Sequence, residues 1–138
     1  VVPDDTDRLG HANNVVYLRW LEEVSWAHIE SLGMTWALHE ETGKAMAITR
    51  TEIDYLASAN AGDRLVLGTW LTGFDGRFRS ARQFQLVRES DGKTLVRAVS
   101  THACVNMKSQ RPSRMPAEYA DILGGAMLPG GRGFDTTP

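Results

Sequence analysis

Hydrophobic positions fall into two periods along this chain. Across residues 14–32 they recur at helical spacing, at Val16, Tyr17, Trp20, Leu21, Val24, Ala27 and Leu32. Val15, Leu18, Trp26 and Ile29 widen that stripe. A helix apolar on most sides is expected to be buried rather than to lie on the surface. Asn13 stands where an N-cap is needed, and Gly33 where a C-terminal stop is needed. Residues 35–42 leave room for one more helical turn. The pattern then changes to four strand-like runs, at about 45–57, 64–74, 78–89 and 94–107. Asn60-Ala61-Gly62-Asp63, Asp75-Gly76 and Asp91-Gly92 separate them. Asp-Gly between long strands signals antiparallel hairpins. In the third run Phe78, Phe84 and Leu86 share one parity; in the last, Leu95, Val99, Ala103 and Val105 do. Residues 116–123 read as a short terminal helix.

Ahead of the long helix, Val1-Val2-Pro3 reads as the end of a short strand. The chain opens without methionine, so a few residues are expected to precede it. The order is a short strand, one long buried helix and four longer strands. This is an α+β layout, with a curved antiparallel sheet of about five strands around the helix. Residues 1–123 form one domain, and the Gly- and Pro-rich residues 124–138 are expected to be a flexible tail.

Composition narrows the function classes. The chain has 138 residues, 42% of them hydrophobic and 23% charged, as in an ordinary soluble domain. A monomer of this size buries only roughly two-thirds of its unfolded surface, so subunit contacts are expected to help. The net charge of -2 gives no support for nucleic-acid binding. One cysteine, Cys104, allows no intrachain disulfide and no Cys-based zinc site, and a reducing cytoplasm is the simplest compartment. No apolar run reaches the roughly 18 residues of a membrane span, and no signal peptide opens the chain. His11, His28, His39 and His102 lack the close spacing of metal ligands, so neither metal nor cofactor is expected.

The segment richest in chemistry is Asp7-Arg8-Leu9-Gly10-His11-Ala12-Asn13-Asn14, directly before the long helix. It brings a carboxylate, a glycine turn, an imidazole and two amides to a helix N-terminus. The first N–H groups of a helix lack intrahelical partners and sit at its positive end. They can hold the oxyanion that forms when a carbonyl is attacked. A carboxylate folded back over that place serves as nucleophile or as general base for water. Gly10 lets the backbone turn tightly and pass close to a ligand. Taken singly, these residues have plainer readings. An isolated Asp is usually a solvated turn residue, Asn13 and Asn14 serve as caps, and Tyr17, Trp20 and Trp26 suit a core. Cys104 suits a packed apolar strand.

The order Asp-x-x-Gly-His-x-Asn-Asn-x-x-Tyr-Leu, leading into Trp20-Leu21-Glu22-Glu23, resembles the 4-hydroxybenzoyl-CoA thioesterase-like branch of the hotdog-fold superfamily. That branch includes bacterial acyl-CoA thioesterases. The resemblance covers residues 1–119. It implies hydrolysis of an acyl-CoA or acyl-carrier-protein thioester, with Asp7 as the catalytic carboxylate. The N–H near Asn14 is then the oxyanion donor, and His11 contacts the carbonyl or positions water. Gly10, Asn13 and Tyr17 are placed with the substrate. The resemblance further implies a homodimer or homotetramer, with the site between subunits; Thr49, Thr51 and Glu52 are partner-side candidates by location. Basic residues in two places, Arg77, Arg79 and Arg82 after one hairpin and Lys108, Arg111 and Arg114 after the last strand, are expected to meet the CoA phosphates. Arginines 77–82 carry the weaker expectation, because alternate strand residues face solvent. Two other functions remain open on the same fold: a dehydratase or hydratase of acyl thioesters, and a non-catalytic acyl-CoA binding module.

Overall fold

The long helix, α1 (Asn14–Ser31), is set by its two ends. Asn13 has extended backbone, and its side-chain oxygen accepts the Val15 N–H. At the other end Gly33, at φ +106°, donates to the Glu30 carbonyl while the Met34 N–H reaches Ile29 O at 2.9 Å. This paired closure needs the left-handed residue that Gly33 supplies. The computed structural model describes residues 1–128. A second helix, α2 (Trp36–Thr42), follows with Thr35 as its cap. Four strands come next: β1 (Lys44–Tyr55), β2 (Leu65–Phe74), β3 (Arg79–Arg88) and β4 (Thr94–Asn106). A third helix, α3 (Ala117–Gly125), closes the described chain.

The four strands form one antiparallel sheet in the order β1-β4-β3-β2. The described residues therefore hold four strands, not about five. Val1-Val2 is no strand but leads into a 3-10 turn at Pro3–Asp5. Pro3 fixes φ there and has no N–H to give a ladder. Val1 makes a single strand-like pairing, its ammonium donating to Asp63 O at 2.7 Å and its carbonyl accepting the Gly62 N–H.

Two expectations about faces are corrected. Only Val16, Tyr17 and Leu21 of α1 are buried, whereas Val15, Leu18 and Trp26 are exposed. In a single chain the sheet covers one side of the helix and leaves the other apolar side open. On β4 Leu95 is buried as expected, but beyond it the core parity is the even one. Val96, Ala98, Ser100 and Cys104 are buried, while Val99, Ala103 and Val105 are only half-buried. Small and polar residues on the inner face hid it from a hydrophobicity count. Phe78 likewise precedes β3 and is exposed.

Three apolar clusters line up along the inner face. Tyr17, Leu86, Leu95 and Val96 pack at the α1 N-terminal end. Leu21, Phe84 and Ala98 pack in the middle. Met34, Leu71, Cys104, Tyr119 and Leu123 pack at the far end, where α3 sits. Of the expected tail, Gly124 and Gly125 belong to α3 and Met127 bridges to Leu71; residues 129–138 lie outside the described residues.

Candidate active site

The Asp7 loop is built by its own hydrogen bonds. Asp7 Oδ1 accepts the Leu9 N–H at 2.8 Å and the His11 N–H at 3.3 Å. The Asp7 N–H donates to His11 O at 2.8 Å, and the Gly10 N–H to Asp7 O. Gly10 sits at φ +77°, which most residues resist, though a Cβ there would meet no atom within 4 Å. The loop needs glycine for its backbone angle, not for space. Asp7 is exposed, and its Oδ2 has no protein partner among the described residues. The loop meets the helix through Asp5, whose carbonyl accepts the Asn13 N–H and whose carboxylate binds Arg19 at 2.9 Å.

At the helix start the Val15 N–H is taken by the Asn13 side chain and the Val16 N–H by the Asn13 carbonyl. The Asn14 N–H donates to no acceptor among the described residues. A free donor at the positive end of an 18-residue helix is suited to a developing oxyanion. Tyr17 lies lower, 4% exposed, in the first apolar cluster. Its hydroxyl accepts the Ala59 N–H at 3.2 Å. Ala59 in turn accepts the Ala12 N–H, and Asn60 bridges to His11. Tyr17 thus fixes the segment against which the Asp7 loop is paired.

The two basic sets come together, but far from Asp7. After β4 the chain folds back: Asn106 N–H donates to Arg111 O, Ser113 N–H to Cys104 O and Met115 N–H to Arg77 O. Arg77, Arg79, Lys108, Arg111 and Arg114 are therefore exposed at one end of the sheet. The Asp7 loop is joined to residues 59–60, beyond the other end of β1 and β4. The 13 residues of β4 lie between, roughly 40 Å at the usual rise per residue.

A cavity of about 320 Å³ lies between α1 and the sheet; Arg82 of the first basic set lines it, and the Asp7 loop does not. Its lining is mostly apolar, with Leu21, Ile29, Met34, Leu71 and Phe84 among its walls. Leu18, Trp26 and Ile48 both line it and are exposed, so they mark its mouth. Neither this cavity nor the two shallower clefts is lined by Asp7, Gly10, His11, Asn13, Asn14 or Tyr17. Of the three residues singled out on β1, Thr51 lines the cavity and holds Ser100 at 3.0 Å. Thr49 sits at the bulge and donates to Thr101 O; Glu52 pairs with Arg50.

Sequence reasoning missed the cavity floor. The cross-strand pairs Ser80–His102 and Arg82–Ser100 interrupt the apolar face between the middle and far clusters. Arg82 is not solvent-facing, as alternation had implied, but 3% exposed. Its Nη1 donates to His28 Nδ1 at 2.8 Å and Thr69 Oγ1 at 3.1 Å. Arginine has no acceptor, so His28 Nδ1 is the unprotonated nitrogen and Nε2 carries the hydrogen. Burial and the neighbouring guanidinium hold both His28 and His102 below the usual histidine range, His102 at about 4. Burial lowers Arg82 to about 10, which leaves it charged at neutral pH. Glu22 on α1 also lines the cavity and is the one acidic residue to do so among the described residues.

The histidines carry a stability signature. Unfolded His102 takes a proton near its ordinary 6.5, whereas the folded one resists until about 4. Stability should therefore be full above pH 6.5 and fall as pH drops from there towards 4. Urea midpoints measured across that range check it, and His102→Gln should flatten the fall.

The helix-over-sheet frame is that of a hotdog fold, and comparison with known proteins makes the chain a thioester hydrolase of that fold. The chain belongs to the thioesterase-like superfamily, whose model matches residues 1–123. It is 26% identical over 114 residues to the long-chain acyl-CoA thioesterase FadM of Escherichia coli, covering 82% of this chain and 84% of that protein. Among the solved structures that share its fold are these two. One is Slr0204 of Synechocystis, a 1,4-dihydroxy-2-naphthoyl-CoA thioesterase, at TM-score 0.79 and 21% identity over 94% of each chain. The other is SAV2348 of Staphylococcus aureus, solved in complex with CoA, at TM-score 0.85 and 17% identity over 100% of this chain and 85% of that one. Among the described residues no helix is long and apolar enough to cross a membrane.

Proposed function

We propose that the protein hydrolyses an acyl-CoA, with Asp7 as general base and the Asn14 N–H as oxyanion donor. The observation that carries this is the free Asn14 N–H beside a loop that holds Asp7 by one oxygen and leaves the other unpartnered. Asp7 takes a proton from water, and the water oxygen bonds to the carbonyl carbon. The oxyanion rests on the helix end. Collapse breaks the C–S bond, and the thiolate takes the proton back from Asp7. Direct attack by Asp7 would give an anhydride for water to open, and labelled water in single turnover separates the two routes. The CoA-bound SAV2348 structure and the activity of FadM support the choice of CoA as carrier.

Separation of the Asp7 loop from the basic end argues for a site made by two copies, with the loop of one facing the other's cavity mouth or basic segment. The exposed apolar side of α1 supports such a pairing. The direct test is thiol release over acyl-CoAs and acyl carrier proteins. Turnover confirms hydrolysis. Hydration of a 2-enoyl thioester without free thiol would indicate the hydratase reading, and tight binding without turnover a binding module.

One observation favours a second reading. Glu22 lines the cavity and Asp7 does not, so Glu22 is the alternative base if a single chain holds the whole site.

The basic end yields its own prediction. Replacing Lys108, Arg111 and Arg114 together by alanine should raise KM for acyl-CoA by roughly tenfold, with kcat nearly unchanged, since exposed charge pairs are individually weak. The dependence of KM on salt should weaken in parallel. Steady-state kinetics from 50 to about 300 mM salt check both.

A further inference from the structure

The floor of the cavity carries a charge that the apolar walls do not explain. Arg82 is 97% removed from solvent in the sense that only 3% of its surface is exposed. No carboxylate pairs with it among the described residues. Burying an ion without a counter-ion is costly, and a neutral residue there would be cheaper for folding alone. Its contacts make no counter-charge: His28 and His102 are neutral, Ser80, Ser100 and Thr69 are uncharged, and Glu22 of the cavity lining is exposed and forms no ion pair with it. Only Nη1 is used, by His28 and Thr69. The Nε–Nη2 edge has no protein acceptor among the described residues. That edge is the one with which a guanidinium grips a carboxylate through two parallel hydrogen bonds. The His28 and Thr69 contacts hold the fork in place before any ligand arrives, so little entropy is lost on binding.

We propose that this cavity takes the acyl chain of a thioester that ends in a carboxylate, and that Arg82 is the receptor for that distal carboxylate. The inference rests on the thioesterase reading and narrows its substrate class to ω-carboxyacyl thioesters. The cavity volume, about 320 Å³, lies at the small end of ligand sites, roughly 300–1,000 Å³, which suits a short chain. The apolar walls take the methylenes, and the mouth at Leu18, Trp26 and Ile48 leads the thioester end outward. A neutral chain of the same length would leave the cation stripped of water and unpaired, so the site selects against it. Arg82 touches the substrate far from the reacting carbon, which makes it a specificity-determining residue.

The test compares matched pairs on the full chain: adipoyl-CoA against hexanoyl-CoA, and suberoyl-CoA against octanoyl-CoA, by thiol release. The carboxylate-ended member of at least one pair should show a kcat/KM higher by about tenfold or more, as expected for a charge-assisted pair. Arg82→Met should abolish that preference, while Arg82→Lys should keep part of it. Equal or better turnover of the neutral member in both pairs overturns the proposal; a guanidinium already neutralised by a carboxylate of a second subunit would behave so. Because the wild-type comparison alone decides, failure of Arg82→Met to fold does not protect the idea. If neither series is hydrolysed and no other acyl-CoA or acyl carrier protein releases thiol, the thioesterase reading has failed instead. Calorimetric binding of the same four thioesters then decides the present inference: tighter binding of the carboxylate-ended member supports it, and no difference removes it.

Discussion

Asp7→Asn is expected to lower kcat by roughly 10² to 10⁴, the usual worth of a general base, with KM and thermal stability close to those of the parent. The prediction is sharper than for most catalytic carboxylates because of how the loop is held. Only Oδ1 carries the loop, by accepting the Leu9 and His11 N–H groups. An asparagine oxygen accepts the same two bonds, so the backbone should stay where it is while the negative charge and the free basic oxygen are lost. Asp7→Ala removes the loop's acceptor as well, and should lose stability by about 1 kcal/mol beside losing turnover. Glu22→Gln is the necessary companion, since Glu22 is the carboxylate on the cavity wall. It should retain most activity. The opposite pattern, with Asp7→Asn near parental rate and Glu22→Gln inactive, would move the base to α1 and dispense with a second subunit. Mixing Asp7→Asn with Arg82→Met, assayed on a carboxylate-ended thioester, would raise the rate above the mean of the two variants only if loop and cavity belong to different copies.

The elements were largely legible because each has a local cause. Helical spacing with Asn13 and Gly33 at its ends placed α1 within a residue of its observed limits. Asp75-Gly76 and Asp91-Gly92 marked real hairpins, each Asp carboxylate collecting the N–H groups that follow it. The Asp7 segment was readable for the same reason, being a loop that bonds to itself. What was not legible depends on which face meets which. On β3 and β4 the inner parity carries Ser80, Arg82, Ser100 and His102, and counting apolar residues steers away from such a face. The signal that existed was negative: Arg82 shares parity with Phe84 and Leu86, so it had to be either misplaced or inside. The short first strand failed because Val1-Val2 scores well for β structure, but Pro3 diverts the chain into a turn. The covering of α1's open side has no local cause in the chain, since it depends on a second surface.

Tyr17→Ala should destabilise the fold by about 3–5 kcal/mol, the usual cost of deleting a large buried aromatic ring. The side chain is 4% exposed and makes edge contacts with both Trp20 and Tyr55, at 5.5 and 5.3 Å between ring centres. Tyr17→Phe separates its two roles. It keeps the ring but strands the buried Ala59 N–H, which costs about 1–3 kcal/mol when left without a partner. The consequence reaches the chemistry because Ala59 accepts the Ala12 N–H and Asn60 bridges to His11. Loosening that segment lets the Asp7 loop drift from the helix end, and small misplacements of reacting groups are costly. Tyr17→Phe should therefore reduce kcat while leaving KM nearly unchanged, whereas a tyrosine that bound substrate directly would show its loss in KM. Denaturant midpoints give the stability change, and hydrogen exchange at Ala59 and Ala12 should quicken in the variant while amides of β3 and β4 stay protected. A rise in KM with unaltered exchange would instead place Tyr17 in the substrate's path.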